Sequence, residues 1–331
     1  MNKHSQSELD VIIIGSGLAG LSAADELCSA GYSVLVIDKG RGIGGRLATR
    51  RIAEATFDYG AQFFTARSTR FKDCVKEWIK AGIAEEWYSS YPGHPNGHPR
   101  FRGVPTMTAV AKHLGKGKDV QQATRAERLV QTPTGWKVLT DTEQSFEAKA
   151  LLITCPVPQT LALLSSSDIT IAEPTLQRLR KIDYERCIAV LATLDKPSDI
   201  PAPGALYLEQ GPIAWISDNQ LKKLSSVPSI TIHGSANFSL DHFDHDRQQV
   251  GQTLIEAAKP YIGNSQIIDF QVHGWRFSKP VTVDDSESLL ITQTTQLPPI
   301  AVAGDAFAGP RFEGAVVSGW SAAQILQTAL Q

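Results

Sequence analysis

The sequence predicts an α/β fold in two parts, a discontinuous domain around a parallel sheet and an α+β domain inserted into it, on three observations. Residues 10–38 read as strand, glycine-rich turn, helix and strand. Two further short apolar runs, at 149–154 and 300–303, lie far along the chain and share the character of the first two strands. The stretches between them carry helical or alternating patterns of a different kind.

Taken in order, Val11 to Ile14 and Val34 to Ile37 are unbroken apolar runs, as expected of parallel strands covered on both faces. Gly31 stands where a helix C-cap glycine belongs, which completes a βαβ unit. The third run stops at Cys155-Pro156-Val157-Pro158, where proline cannot continue a ladder. The fourth ends at Gly304-Asp305, followed by a helical segment from Ala315 to the C-terminus.

In the inserted part, 68–82 and 246–258 have helical spacing, with Val250, Leu254, Ala257 and Ala258 on one face. Strands are expected at 187–194, 213–217, 228–235 and 266–276, joined through Pro197, Pro201, Pro203, Gly204, Gly211 and Pro212. The expected division is 8–66, 100–160 and 280–331 for the nucleotide-type domain and 67–99 and 161–279 for a substrate domain.

A chain of 331 residues, 42% hydrophobic and 20% charged, is long enough for more than one core. A net charge of −2 without a long like-charge run argues against nucleic acid or an anionic membrane as partner and for a small molecule. No stretch approaches the roughly 18 apolar residues of a membrane span. The polar start Met1 to Gln6 leads into a strand, not the apolar core of a signal peptide, so a cytoplasmic location is expected. Cys28, Cys74, Cys155 and Cys187 form no CxxC pair, so neither disulfides nor zinc are expected.

Gly15-Ser16-Gly17-Leu18-Ala19-Gly20 fits GxGxxG directly after a strand. The first glycine allows the turn, the second lets backbone approach a pyrophosphate, and the third lets helix and strand pack closely. Helix N-terminal amides then meet the phosphates. Asp38, with Lys39 beside it, lies 18 residues beyond Gly20, near the spacing of an acid that binds ribose hydroxyls. FAD and NAD both satisfy this pattern.

The next segments separate them. Gly44-Gly45-Arg46 resembles the GG-R extension that flavoproteins of the amine-oxidase and renalase superfamily carry after the ribose-binding acid. Asp58-Tyr59-Gly60-Ala61-Gln62 resembles the superfamily's D-x-G-A stretch beside the isoalloxazine ring. Gly304-Asp305 followed by Gly314-Ala315-Val316-Val317 resembles its closing FAD motif. The whole chain resembles bacterial renalase-like proteins, through Phe57 to Arg67, Gly103 to Met107, Ile153 to Gln159, His273 to Phe277 and Gly304 to Gly314.

The resemblance implies a Rossmann-like, two-dinucleotide-binding FAD domain of the p-hydroxybenzoate-hydroxylase and amine-oxidase type. It implies non-covalent FAD held by the residues above, with Ala126 beside adenine, Gly60, Ala61 and Gln62 beside the ring, and the Val316 and Val317 amides facing its reduced charge. The implied activity is oxidation of dihydronicotinamide dinucleotides, including the 2- and 6-dihydro isomers, with hydride passing to flavin N5 and then electrons to dioxygen to give hydrogen peroxide. The alternatives are a flavin amine oxidase and a non-catalytic FAD-binding sensor.

Arg311 stands where amine oxidases of the superfamily place an aromatic cage residue; a cation there disfavours an ammonium substrate. Strand parity sets Thr231 and His233 opposite Ile230 and Ile232, and Gln271, His273 and Trp275 opposite Phe270 and Val272. If the apolar faces pack on helices, His233, His273 and Trp275 look toward the flavin. Gln62, His233, Trp275 and Arg311 are therefore the expected substrate-positioning group. Asp241 to Asp246 reads as helix capping in preference to a metal cluster. The loop Gly93 to Pro99 reads as turn chemistry.

Overall fold

The computed structural model describes residues 9–90, 97–291 and 297–331. It divides into two compact units, one from Met1–Gly45, Ala111–Asp183 and Pro280–Gln331, the other from Arg46–Val110 and Tyr184–Lys279. Residues 46–66 and 100–110 thus pack with the second unit, and 161–183 with the first, unlike the expected division. Ala55 and Phe57 share a buried cluster with Ala189 and Leu191, which draws the early hairpin into the second unit. Arg178 donates to Asp284 at 2.6 and 3.0 Å, which holds the helix Glu173–Arg180 in the first.

The first unit is built on an eight-stranded sheet, whose main path runs Leu289–Leu290, Ile300–Val302, Ser145–Ile153, Leu9–Ile14, Val34–Ile37, Asp119–Gln121. Leu9–Ile14 pairs in parallel with both neighbours, Ile12 opposite Leu151 on one side and Leu35 on the other. Each expected apolar run is one of these strands, and Val11 to Ile14, Leu151 to Ile153 and Ile300 to Val302 are buried. The chain leaves Leu9–Ile14 for one side and later returns on the other. That reversal is the topological switch point at which open α/β sheets bind ligands.

Two helices, Leu18–Ser29 and Phe312–Ala329, cover the sheet through Ala19, Ala23, Leu27, Ala322, Ala323 and Leu326. They approach closely because position 319 has no side chain; a Cβ there would lie 2.3 Å from the Ala19 carbonyl oxygen.

The second unit carries a five-stranded sheet in the order Ala205–Tyr207, Ile213–Asp218, Ser229–Gly234, Tyr184–Leu194, Ile267–Pro280. One face packs on the helix Arg247–Ile262, with Ile188, Val190, Ile230 and Ile232 meeting Val250, Leu254 and Ala258. Phe270 and Val272 join this face, so the parity expected for both histidine-bearing strands holds. Asp246 caps that helix by accepting from the Gln249 amide at 2.9 Å, as its position predicts. Among the described residues no helix is long and apolar enough to cross a membrane. Gly93 to Asn96 of the expected loop lie outside the described residues.

Candidate active site

In the first unit the glycine-rich turn follows Ile14 at the end of the central strand. Gly15 adopts φ +115, and a Cβ on Gly20 would come within 2.0 Å of the Gly15 carbonyl oxygen, so both positions require glycine. Gly17 differs, since a Cβ there would meet nothing within 4 Å. It is the N-cap of Leu18–Ser29 with no side-chain capping bond, and the first helical rung runs from the Leu21 amide to the Gly17 carbonyl. The amides of Leu18, Ala19 and Gly20 therefore precede the ladder, beside open space, as a pyrophosphate requires.

The Asp38 carboxylate accepts from the Ser16 amide at 2.6 Å, the Ser16 hydroxyl at 2.8 Å and the Gly40 amide at 2.6 Å. It is thereby fixed beside the turn at the end of Val34–Ile37. Gly44 donates to the Ser16 carbonyl at 2.8 Å, and a Cβ on Gly45 (φ +53) would lie 3.7 Å from the Gly17 Cα. The glycine pair thus folds against the same turn. Lys39 reaches Gln159 at 3.2 Å, and Ala126 opens the strand Ala126–Gln131, half-buried. Cys155, next to the turn, has its thiol pushed up to about 11 by burial, so it stays protonated.

At the same carboxyl edge of the sheet, just beyond Ile300–Val302, Gly304 donates to the Ser318 hydroxyl at 2.8 Å, and Asp305 is half-buried. The C-terminal helix starts at Phe312 with Arg311 as N-cap, and the Ala315 amide already donates to the Arg311 carbonyl. This corrects the expected donors. Val316 and Val317 lie inside the ladder, and the amides that precede it belong to Phe312, Glu313 and Gly314. Arg311 itself is exposed.

In the second unit the sheet face opposite the Arg247–Ile262 helix gathers around Tyr59. Trp275 donates its indole N–H to the Tyr59 carbonyl at 2.9 Å and stacks on the Tyr59 ring, 5.3 Å between centroids. His233 Nε2 lies 3.1 Å from the same carbonyl. A carbonyl only accepts, so Nε2 carries the proton and Nδ1 is the ring's acceptor. His273 packs edge-on against Tyr59 and Trp275 at 4.9 and 4.4 Å. Burial pushes both histidines down to about 4, His273 also under the charges of Arg50 and Arg247. The Arg50 guanidinium sits 5.1 Å over the Tyr59 ring and donates to Gln271.

Gln62 is placed differently from expectation. It is 6% exposed, its amide nitrogen donates to the Asp58 and Gly60 carbonyls, and its oxygen accepts from Ser217 and Lys222. It shapes the Tyr59 to Ala61 turn from within and presents no group to a substrate. Arg46 is likewise committed in part, donating to the Ser278 carbonyl at 3.0 Å, and Gly60 packs so closely that a Cβ would meet the Arg46 oxygen at 2.0 Å.

Sequence reasoning missed Tyr59, Arg50 and Lys222. Tyr59 stands inside the Asp58 to Gln62 stretch, yet it gathers its neighbours through its carbonyl as well as its ring, and a carbonyl leaves no mark in sequence. Lys222 is buried, 3.3 Å from Asp58 and 4.9 Å over the Trp87 ring. Desolvation lowers its pKa, against the pull of Asp58.

The family model for flavin containing amine oxidoreductase matches residues 86–327, and one for an NAD(P)-binding Rossmann-like domain matches 13–78. The chain belongs to the flavin-containing amine oxidoreductase family. Mouse renalase is 26% identical over 339 residues, covering 96% of this chain and 98% of its own. A double mutant of putrescine oxidase shares the fold with a TM-score of 0.72 at 15% identity, covering 97% of this chain and 99% of that one. Cyclohexylamine oxidase from Brevibacterium oxydans IH-35A does so with 0.72 at 14% identity, over 97% and 99%. As a renalase-like member of this family the protein is an FAD-dependent oxidoreductase. The open Gly17 position and the uncapped helix start fit the ADP half of that cofactor.

Proposed function

We propose that this protein oxidises dihydronicotinamide dinucleotides, with dioxygen as the final acceptor. The observation that carries the reading is the electrostatic character of the Tyr59 face. It presents a stacked indole and phenol, two histidines held neutral and the cation of Arg50, while the neighbouring Asp58 carboxylate is buried against Lys222. A flat, uncharged carboxamide ring suits such a platform, its amide N–H donating to His233 Nδ1 and its phosphates drawn by arginine. An ammonium group would meet the Arg50 cation, and the carboxylate beside Tyr59, Asp58, is already paired with Lys222.

When bound, FAD supplies the two-electron acceptor. The chain's residues supply orientation and water exclusion, and a hydride donor carbon needs no general base, which agrees with histidines too acidic to take a proton at neutral pH. Trp275 and His233 position the ring, and Gln62 holds the turn that carries Tyr59. Anaerobic rapid mixing with each dihydronicotinamide isomer tests this: at least one should bleach the yellow flavin band within seconds. Bleaching by a simple amine, with every isomer inert, would overturn it.

Oxidation of an amine is a second reading, favoured by one observation. The Arg100 guanidinium lies over the rings of Tyr88, Phe63 and Tyr207 at 5.1, 5.5 and 6.0 Å, so the same unit contains an aromatic cluster that accepts a cation.

A further inference from the structure

On the helix-packed side of the five-stranded sheet, three guanidinium groups converge on one ring. The Cζ atoms of Arg247, Arg276 and Arg186 lie 4.5, 4.7 and 5.1 Å from the centroid of Phe243. Arg186 and Arg276 come from adjacent strands, and Arg247 opens the helix Arg247–Ile262. Asp244 pairs with Arg276 at 3.0 Å and with Arg186 at 3.6 Å, and it is itself 69% exposed. The other carboxylate beside Arg247, Asp246, is occupied in capping the helix.

Arg247 is the informative member. Its Nη1 is buried and has no hydrogen-bond partner among the described residues. Space for the group is reserved by Gly274, where a Cβ would lie 2.7 Å from Nη2 and 3.0 Å from Cζ. The Phe243 ring attracts cations through its quadrupole but accepts no strong hydrogen bond from them. Three like charges gathered on one ring, one with a buried donor left over, call for an anion with several acceptor oxygens.

We propose that Arg247, Arg276 and Arg186 form a binding site for a phosphate-class oxyanion, with Arg247 Nη1 as its buried donor. A planar guanidinium fork matches phosphate oxygens in pairs, as a lysine would not. Two sources supply that chemistry, a phosphate of the dinucleotide substrate, which rests on the reading above, and a separate phosphate ligand.

Calorimetric titration of the FAD-loaded protein with inorganic pyrophosphate at fixed ionic strength tests the site without any turnover. Saturable one-to-one binding is expected. Arg247→Gln should weaken it at least tenfold and Arg276→Gln, whose side chain is half exposed, several-fold, while Arg128→Gln in the other unit leaves it unchanged. No saturable binding to the native protein, or equal affinity in a folded Arg247→Gln and Arg276→Gln, overturns the proposal. The source is then read from KM. A tenfold rise in Arg247→Gln for a dihydronicotinamide dinucleotide but not for the phosphate-free riboside assigns the phosphate to the substrate. Loss of pyrophosphate binding with both KM values unchanged assigns it to a separate ligand. Should no dihydronicotinamide reduce the flavin, the functional reading fails while the calorimetry still decides the site.

Discussion

The carbonyl oxygen of Tyr59 accepts the indole N–H of Trp275 at 2.9 Å while the two rings stack at 5.3 Å, so one residue fixes both the height and the tilt of the indole. Trp275→Phe keeps the stack and removes the bond. Stability should fall by about 1 kcal/mol with FAD content unchanged, and kcat/KM for the reducing substrate by about tenfold. Urea denaturation and steady-state kinetics measure the two; unchanged kinetics in Trp275→Phe would remove the indole from the site.

His233 and His273 predict a pH dependence of stability. Their folded-state values, about 4, lie below the ordinary 6.5, so between these limits the unfolded chain binds more protons than the native one. Stability therefore rises with pH from about 4 to 6.5 and levels off above, with a slope for His233 of at most about 1.4 kcal/mol per pH unit. His233→Gln should flatten part of that rise relative to the native protein in thermal melts across the window. A slope unchanged in His233→Gln would show that the ring is protonated in the folded state.

Lys222 and Asp58 form a buried pair, also bonded to Gln62, Thr49 and the Met107 amide. Lys222→Met strands the carboxylate and should cost about 3–5 kcal/mol. Combining it with Asp58→Asn should recover more than half of that loss, because both charges then leave together. A double-mutant cycle by chemical denaturation gives the coupling directly, and additive losses would contradict it.

Gly17 and Gly20 predict opposite outcomes for the same substitution. Gly17→Ala meets no atom within 4 Å and has an ordinary extended backbone (φ −74), so the fold should persist while FAD affinity drops about tenfold or more as the methyl enters the phosphate space. Gly20→Ala drives a Cβ against the Gly15 carbonyl and should lower the melting temperature outright. Calorimetry of the apoprotein with and without FAD separates the two effects.

The parallel sheet, its glycine turn and the Asp38 anchor were legible from residues 10–38 because each depends on neighbours within a few positions: apolar runs, a positive-φ glycine, a helix start. Strand parity likewise placed His233, His273 and Trp275 on one face, since alternation along a strand is local. The C-terminal motif was read with its helix start too late. Glu313, an acid in the first turn, is a local mark of the earlier start, and the Arg311 carbonyl closes the first rung.

What sequence by itself determined, then, is the dinucleotide cradle and the membership of a flavin family, both written in short-range pattern. Only tertiary structure decided that Gln62 and Lys222 are interior struts, that Tyr59 is the hub of the aromatic face, and that three arginines 29 to 90 residues apart share one ring. The physical reason is that burial and partnership of a polar side chain depend on which distant backbone groups surround it, and a one-dimensional pattern carries hydrophobic period but not that neighbourhood.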